Sequence, residues 1–371
     1  MAARATMGAM TRADDVPLLQ VRVMGVTIAI DAADRTTHDR LSRQWSRAAE
    51  PAPVDVAAET IRAEAGKSGL ARSHDYTLTT QVTLAALKAT AGKRFNLHAG
   101  ALADARGRVL AIVAPSGTGK TTATRLLAER LDYLSDETVS ITPDGVVHPH
   151  AKPLSVITDP KRPLDKEQLS PDALGLRATP VTGRIARFVV LRRGVPHPRG
   201  LVRLTPTEGL LNLIEQSSSV AEVPDPLVSL WSLMDAAGGV WALEYDEIHE
   251  HLDELEQLLA ADLAPTGDPR PRRHPGSQEP IEVPVTELQR HPWVDAVEIE
   301  DEVLVLYPTH AVRLDGLMAS LWLELATPST LRRLVVAAEA SHGEHPDADD
   351  LVEKAIAVMT EQQLVAWGTL A

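Results

Sequence analysis

Ala114-Pro-Ser-Gly-Thr-Gly-Lys120-Thr-Thr122 decides how this chain is read. An apolar run, Val109-Leu-Ala-Ile-Val113, precedes it, and a helix-forming segment, Thr121 to Leu131, follows. In such a strand–loop–helix, successive backbone N–H groups wrap a phosphate, and the helix N-terminus adds partial positive charge. The lysine supplies a mobile cation, and the hydroxyl after it is placed to bind Mg²⁺. Pro115, Ser116, Gly117, Thr118, Gly119, Lys120, Thr121 and Thr122 are therefore the expected nucleotide-binding residues, with Thr121 also on the metal. ATP and Mg²⁺ are the expected ligands.

A loop of this kind needs carboxylates to hold the metal and to poise an attacking hydroxyl. Asp136 and Glu137 come 15 residues beyond Thr121, at the end of the apolar segment Tyr133-Leu-Ser. A carboxylate at the C-terminal edge of a strand faces the crevice where open α/β sheets bind ligands. One acid can hold the metal while the other accepts a proton. His98, shortly before the loop's strand, is placed to orient an acid or shuttle a proton; a lone histidine is more often a packing residue.

Composition narrows the partners. The chain has 371 residues, 44% of them hydrophobic, 24% charged and none of them cysteine. That length suggests two domains. Lacking cysteine, the chain has no disulfides, thiolate catalysis or thiolate-held metal, which fits a reducing, cytoplasmic setting. A net charge of −14 offers no basic excess to displace counterions, so no nucleic-acid partner is expected. No apolar run reaches membrane-spanning length, so no membrane partner is expected either.

Four regions are expected along the chain: a disordered start over 1–15, an α/β phosphate-loop domain over 16–263, a semi-extended linker over 264–280, and a small α+β domain over 281–371. The linker reading rests on Ala264-Pro-Thr-Gly-Asp-Pro, continuing to Pro280, where Pro, Gly and charge replace apolar periodicity. Within the first domain we expect a strand over Leu19–Ile30, a strand over Thr77–Thr83, a short helix over Leu84–Gly92, and a hairpin across Pro143-Asp-Gly145. Thr205-Pro-Thr-Glu208 is a capping box, and Asp225-Pro226 is expected to open a helix in the same way. The last domain is expected as a hairpin, 294–300 with 303–307, followed by three helices.

Taken together, His98-Ala-Gly, the loop itself and Leu134-Ser-Asp-Glu137 resemble the catalytic core of the HPr kinase/phosphorylase superfamily, P-loop serine kinases whose sheet is related to phosphoenolpyruvate carboxykinase. The resemblance covers about residues 95–260 and is specific over three short motifs. It implies that Asp136 is the base on a substrate serine, that His98 pairs with it, that Lys120 is catalytic, and that Glu137 joins Thr121 at the metal. It also suggests a weak phosphate-contacting or structural role for Lys152, in Ala151-Lys-Pro-Leu. Glu137 departs from the usual second Asp, and the downstream Gly-rich signature with its Arg is not recognisable. The chain looks like the divergent branch found with ribosomally made peptide natural products. Members of the superfamily are often homo-oligomers, and no interface is legible here.

Residues 281–371 resemble the winged-helix-like PqqD family, through Trp293 to Leu306, Leu314-Asp-Gly-Leu317, Leu321-Trp322 and Gln363-Leu-Val365. That likeness implies capture of a precursor's leader peptide as an added strand. Val303, Leu304, Val305 and Leu306 on the strand, with Leu351, Lys354 and Val358 on the last helix, are the expected peptide-binding residues. A small sheet with open edges supports the same reading physically. Two functions remain open from the sequence. One is an ATP-dependent kinase of a Ser or Thr in the precursor. The other is a non-catalytic recognition or scaffold subunit that presents the precursor to partner modifying enzymes.

Overall fold

The computed structural model describes residues 16–65, 71–115, 117–157, 166–262, 264–277 and 283–368. The start expected to be disordered, 1–15, lies outside the described residues, as does Ser116 of the loop.

An N-terminal unit comes first. The strand expected over Leu19–Ile30 is a hairpin of β1 (Leu19–Val23) and β2 (Val26–Ala32), turning at Met24-Gly25 with positive φ at both. Helix α1 (Arg35–Gln44) is capped by Asp34, whose carboxylate accepts from Thr37 N at 2.7 Å. Strand β3 (Glu59–Ala63) then adds parallel to β2 as the sheet's edge. Of residues 77–92, expected as a strand and a short helix, 77–90 belong to one helix, α2 (Ala71–Thr90), and 91–92 follow it as a turn. Three hydroxyls settle inside it: Thr79, Thr80 and Thr83 each donate to the carbonyl four residues back. Leu78, Val82, Ala85 and Ala86 form the stripe that packs on Ile28, Ile30 and Ile61.

A ten-stranded mixed sheet forms the centre. Its strands are β4 (Phe95–Leu97), β5 (Ala99–Ala103), β6 (Arg108–Val113), β7 (Asp132–Ser135), β8 (Val139–Ile141), β9 (Val146–His148), β12 (Gly183–Arg193), β13 (Gly200–Arg203), β14 (Ser217–Ser218) and β15 (Val240–Tyr245). A separate hairpin, β10 (Leu154–Ile157) with β11 (Lys166–Leu169), stands beside it. Strands β6, β12 and β15 run parallel and side by side, and their C-terminal ends converge on the loop. The hairpin across Pro143-Asp-Gly145 forms as β8 and β9. Helix α3 (Lys120–Leu127) lies close on β5, because a Cβ at Gly100 would stand 2.1 Å from Thr124 Oγ1.

Helix α4 (Pro206–Glu215) opens on the complete capping box of Thr205 and Glu208. Helix α5 (Pro226–Ala236) does not start in the same way. Asp225 sits in left-handed backbone, and its side chain makes no cap. The cap comes from far along the chain, where the buried carboxylate of Asp295 accepts from Leu227 N at 3.2 Å. Helix α6 (Leu252–Ala260) completes the layer on the other face.

The C-terminal part contains β16 (Arg272–Ser277), β17 (Leu288–Arg290), β18 (Trp293–Ile299), β19 (Glu302–Leu306), β20 (Ala311–Leu314), helices α7 (Gly316–Glu324), α8 (Leu331–His342) and α9 (Ala348–Glu361), and β21 (Val365–Trp367). The stretch expected as linker thus contains a strand: β16 pairs with β18 at the edge of a sheet ordered β16-β18-β19-β20. Pro275 is tolerated there because an edge strand has a free N–H side.

This sheet is covered on both faces. Val303 and Val305 point to the α7–α9 core, while Leu304 and Leu306 join the same cluster as Leu210, Leu227 and Leu230 of α4 and α5. Burial on both faces explains the unbroken apolar run Val303–Leu306. Arg273, on β16, ties the layers by pairing with Asp225 at 2.6 Å and Asp295 at 2.8 Å.

The expected strand-addition residues must be corrected accordingly. Val303 to Leu306 lie on β19, an interior strand already paired with β18 on one side and β20 on the other. They are at most 1% exposed, so no incoming backbone can pair with them. Leu351, Lys354 and Val358 are exposed along α9.

Candidate functional site

Strand β6 ends at Val113, and the chain turns through the loop into α3. Gly117 and Gly119 both carry left-handed φ, +85° and +95°. Only glycine adopts this without strain, and it aims successive N–H groups into one concavity. A Cβ at Gly117 would project into open space, and one at Gly119 would stand 2.7 Å from Tyr245 Oη. The first turn of α3 has no side-chain cap, so its N–H groups remain available to an anion. The hydroxyl of the buried Tyr245 donates to Thr118 O at 2.5 Å and props the loop from β15.

A cavity of about 560 Å³ opens beside this loop. Lys120 reaches into it, and among the described residues its partners are the carbonyls of His98 (3.2 Å) and Ala114 (3.5 Å). Burial depresses its ammonium to about 8, although Asp136 and Glu137 pull the other way. Lys120 is thus a buried cation with no ion pair among the described residues, which suits a polyphosphate.

The two acids stand opposite. Asp136 follows the last residue of β7, and Tyr133 Oη donates to its carboxylate at 3.0 Å. Lys152 Nζ lies 2.9 Å from Glu137 Oε2 and 3.9 Å from Asp136 Oδ1. Burial works against the Lys152 charge, but Asp136 and Glu137 outweigh it and hold its pKa above the ordinary value. Glu137 is held below the usual carboxylate range: burial opposes this, and Lys152 prevails. His150, fully buried behind them, is pushed down to about 4 by burial and by Lys152, so it is neutral.

His98 stands exposed at the cavity wall, its backbone N bonded to Gln216 O at the end of α4. Partial desolvation of its ring against the cavity wall and the charge of Lys120 lower its pKa. Its ring interacts with the main-chain carbonyl of Glu137; no hydrogen bond joins it to Asp136 among the described residues, where Tyr133 takes that place.

The structure thus gathers Pro115, Gly117, Gly119, Lys120, Thr121, Thr122, His98, Asp136 and Glu137 around one cavity. Thr118 braces the loop through its hydroxyl on Pro115 O at 2.5 Å. Sequence reading missed several neighbours: Tyr133, Tyr245, Arg193 at the end of β12, Lys166, and Tyr76 and Thr80 on α2. Arg193 carried a signal. It closes a buried strand, where parallel sheets present their ligand-binding ends.

For Mg²⁺ the available donors are the Thr121 hydroxyl and the two carboxylates. Among the described residues no group of three or more His, Asp or Glu is placed to hold an ion alone. That set fits an ion arriving with a nucleotide and keeping phosphate and water ligands, as Mg²⁺ prefers.

One consequence concerns pH. Below about pH 8 Lys120 is charged, and above it the ammonium deprotonates. Bound polyphosphate favours the charged form, so binding above that pH must take up a proton. Nucleotide affinity should be flat from pH 7 to the Lys120 pKa and then fall by up to about tenfold per pH unit. Titration calorimetry in two buffers of different ionisation enthalpy measures this directly; an unchanged affinity up to pH 9.5 would show the charge to be insensitive.

Neither protein-family profiles nor curated proteins show a match to this chain. Among solved structures, the HPr(Ser) kinase/phosphatase from Coxiella burnetii aligns over 44% of this chain and 93% of that one, at 12% identity and a TM-score of 0.25.

Proposed function

We propose that this chain is an ATP- and Mg²⁺-dependent kinase that phosphorylates a Ser or Thr of a ribosomally made precursor peptide. One observation carries the reading: an uncapped phosphate-loop helix and its under-neutralised Lys120 face two carboxylates across a single cavity. A loop kept only for packing needs neither the buried cation nor the opposed acids.

In this mechanism the loop N–H groups and Lys120 grip the β- and γ-phosphates. Asp136, oriented by Tyr133 and Lys152, accepts the proton of the incoming hydroxyl as its oxygen bonds to the γ-phosphorus. The bond from the γ-phosphorus to the bridging oxygen breaks, and the charge left on ADP falls beside Lys120. Neutral His98 borders the acids at the open side and can pass the proton to solvent. Mg²⁺, held through Thr121 and Glu137, supplies charge neutralisation when bound.

The precursor's leader is assigned to the C-terminal part. Two features support this: β20 is an edge strand, and α9 exposes Leu351, Lys354 and Val358. An extended segment that pairs with β20 replaces the ladder first expected on β19. Holding the leader there raises the local concentration of the acceptor residue.

Mass spectrometry of precursor incubated with the protein and Mg-ATP tests the reaction. The expected product is heavier by one phosphoryl group. Asp136→Asn should slow its formation by about 10²–10⁴-fold while nucleotide still binds. Peptide that stays bound but unmodified, and that stimulates a partner enzyme, would favour the scaffold role instead.

A further inference from the structure

The N-terminal unit has a second groove suited to an extended chain. Strand β3 pairs with β2 on one side and with no described strand on the other. Its outer edge therefore presents unpaired backbone groups. Helix α2 runs alongside, antiparallel to it. A cavity of about 380 Å³ lies between Glu59–Ile61 and the helix residues Gln81, Leu84 and Lys88. A second cavity, of about 240 Å³, continues it along Arg62–Glu64 and past the same Gln81 to His74. Together they follow the whole strand, about 17 Å at normal strand rise.

Three features indicate what would occupy this groove. Leu84 is 59% exposed within it, an apolar side chain left facing solvent. At the other end Arg62 has no ion pair among the described residues, whereas Arg40 is spent on Asp75 at 2.7 Å. His74 lines the same cavity, and its Nδ1 is buried without a hydrogen-bond partner among the described residues. An unpaired guanidinium lining this cavity fits a carboxylate. Glu64, just past the strand, lines the same cavity without pairing to Arg62, and so limits that preference.

Helix α2 lies between the groove and the catalytic cavity and lines both. Thr77, Gln81, Leu84 and Lys88 form one shoulder of α2, whereas Tyr76, Thr79 and Thr80 form another that walls the phosphate site.

We propose that the acceptor region of the peptide substrate docks here as a strand on β3, with an apolar side chain over Leu84 and an acidic one at Arg62 and His74. This rests on the kinase reading and adds where the modified region lies and what residues flank it. The leader remains on α9.

The test uses the full chain and an array of peptides of about twelve residues, long enough to span the groove and reach the cavity. One Leu and one Asp are walked through an Ala/Ser background, and binding is read without ATP. Retention should peak at one Leu–Asp separation. Arg62→Glu should cut binding of the Asp peptides by about tenfold or more and favour Lys in that place. Leu84→Glu should remove the Leu dependence. Both side chains are exposed, so melting temperature and Mg-ATP binding should be unchanged. The proposal is overturned by no retention, by retention with no preferred separation, by indifference to both variants, or by loss only when Leu351→Glu and Val358→Glu are made on α9. Phosphoryl transfer to the same array separates the two claims. Separation-specific binding without transfer would keep the groove and sink the kinase; transfer without separation preference would do the reverse.

Discussion

Lys120→Met is expected to abolish measurable phosphoryl transfer, lowering kcat by at least about 10²–10³-fold, the cost of removing one preorganised donor from a developing charge. The same change should make the nucleotide-free protein more stable. Lys120 is 8% exposed, has no ion pair among the described residues, and keeps its charge against burial. Its folded pKa, about 8, lies below its ordinary 10.5, so the charged form costs stability at all pH values below 8. That cost disappears as pH rises from 8 toward 10.5. A methionine of similar shape should recover about 1–2 kcal/mol at pH 7. Thermal melts with and without Mg-ATP test both halves: a higher starting midpoint and no shift on adding nucleotide. A variant that melts lower and still responds to nucleotide would show that Lys120 does not hold phosphate.

The opposite outcome is expected for Lys152→Met. This lysine is 4% exposed and lies between two carboxylates. Removing it leaves Asp136 and Glu137 without the cation that pairs them, which should cost about 2–4 kcal/mol, discounted because Glu137 is partly open to water. The Glu137 contribution is present above the ordinary carboxylate pKa and is lost as pH falls through its lowered folded value. The deficit should therefore narrow in acid. Urea unfolding at pH 7 and pH 4 measures it, and Glu137→Gln added to Lys152→Met should restore much of the loss. Transfer should fall as well, because Asp136 loses the cation 3.9 Å from its carboxylate that helps to position it. If Lys152→Met unfolds like the parent at both pH values, the ion pairs do not hold the acids in place.

The two lysines differ for a reason the sequence could not show. Both lie in short motifs beside glycine or proline, and both were read as candidate phosphate contacts of unequal weight. In the fold, Lys120 has no ion pair among the described residues, and Lys152 is neutralised by Asp136 and Glu137. Similar reasons explain the misread elements. The Thr-rich run 77–83 has strand propensity, and α2 forms because its apolar stripe packs on a sheet while its hydroxyls bond back along the helix. Asp225-Pro226 looks like a helix start, yet the cap comes from Asp295, 70 residues on. The Pro- and Gly-rich stretch read as linker holds a strand because β18 offered an edge to pair with.

What the sequence determined by itself is local chemistry. The glycine spacing before Lys120, the apolar strand ahead of it, the capping box at Thr205 and the turn at Pro143 each act within a few residues, so they form wherever the chain places them. Tertiary structure alone decided which strand ends meet. It set Arg193 and Tyr245 beside the loop, put Lys152 between the acids, buried Val303–Leu306 between two helix layers, and left the edge of β3 open. Those outcomes depend on long-range packing, in which a residue's role is set by neighbours distant in the chain, and no spacing along the chain encodes them.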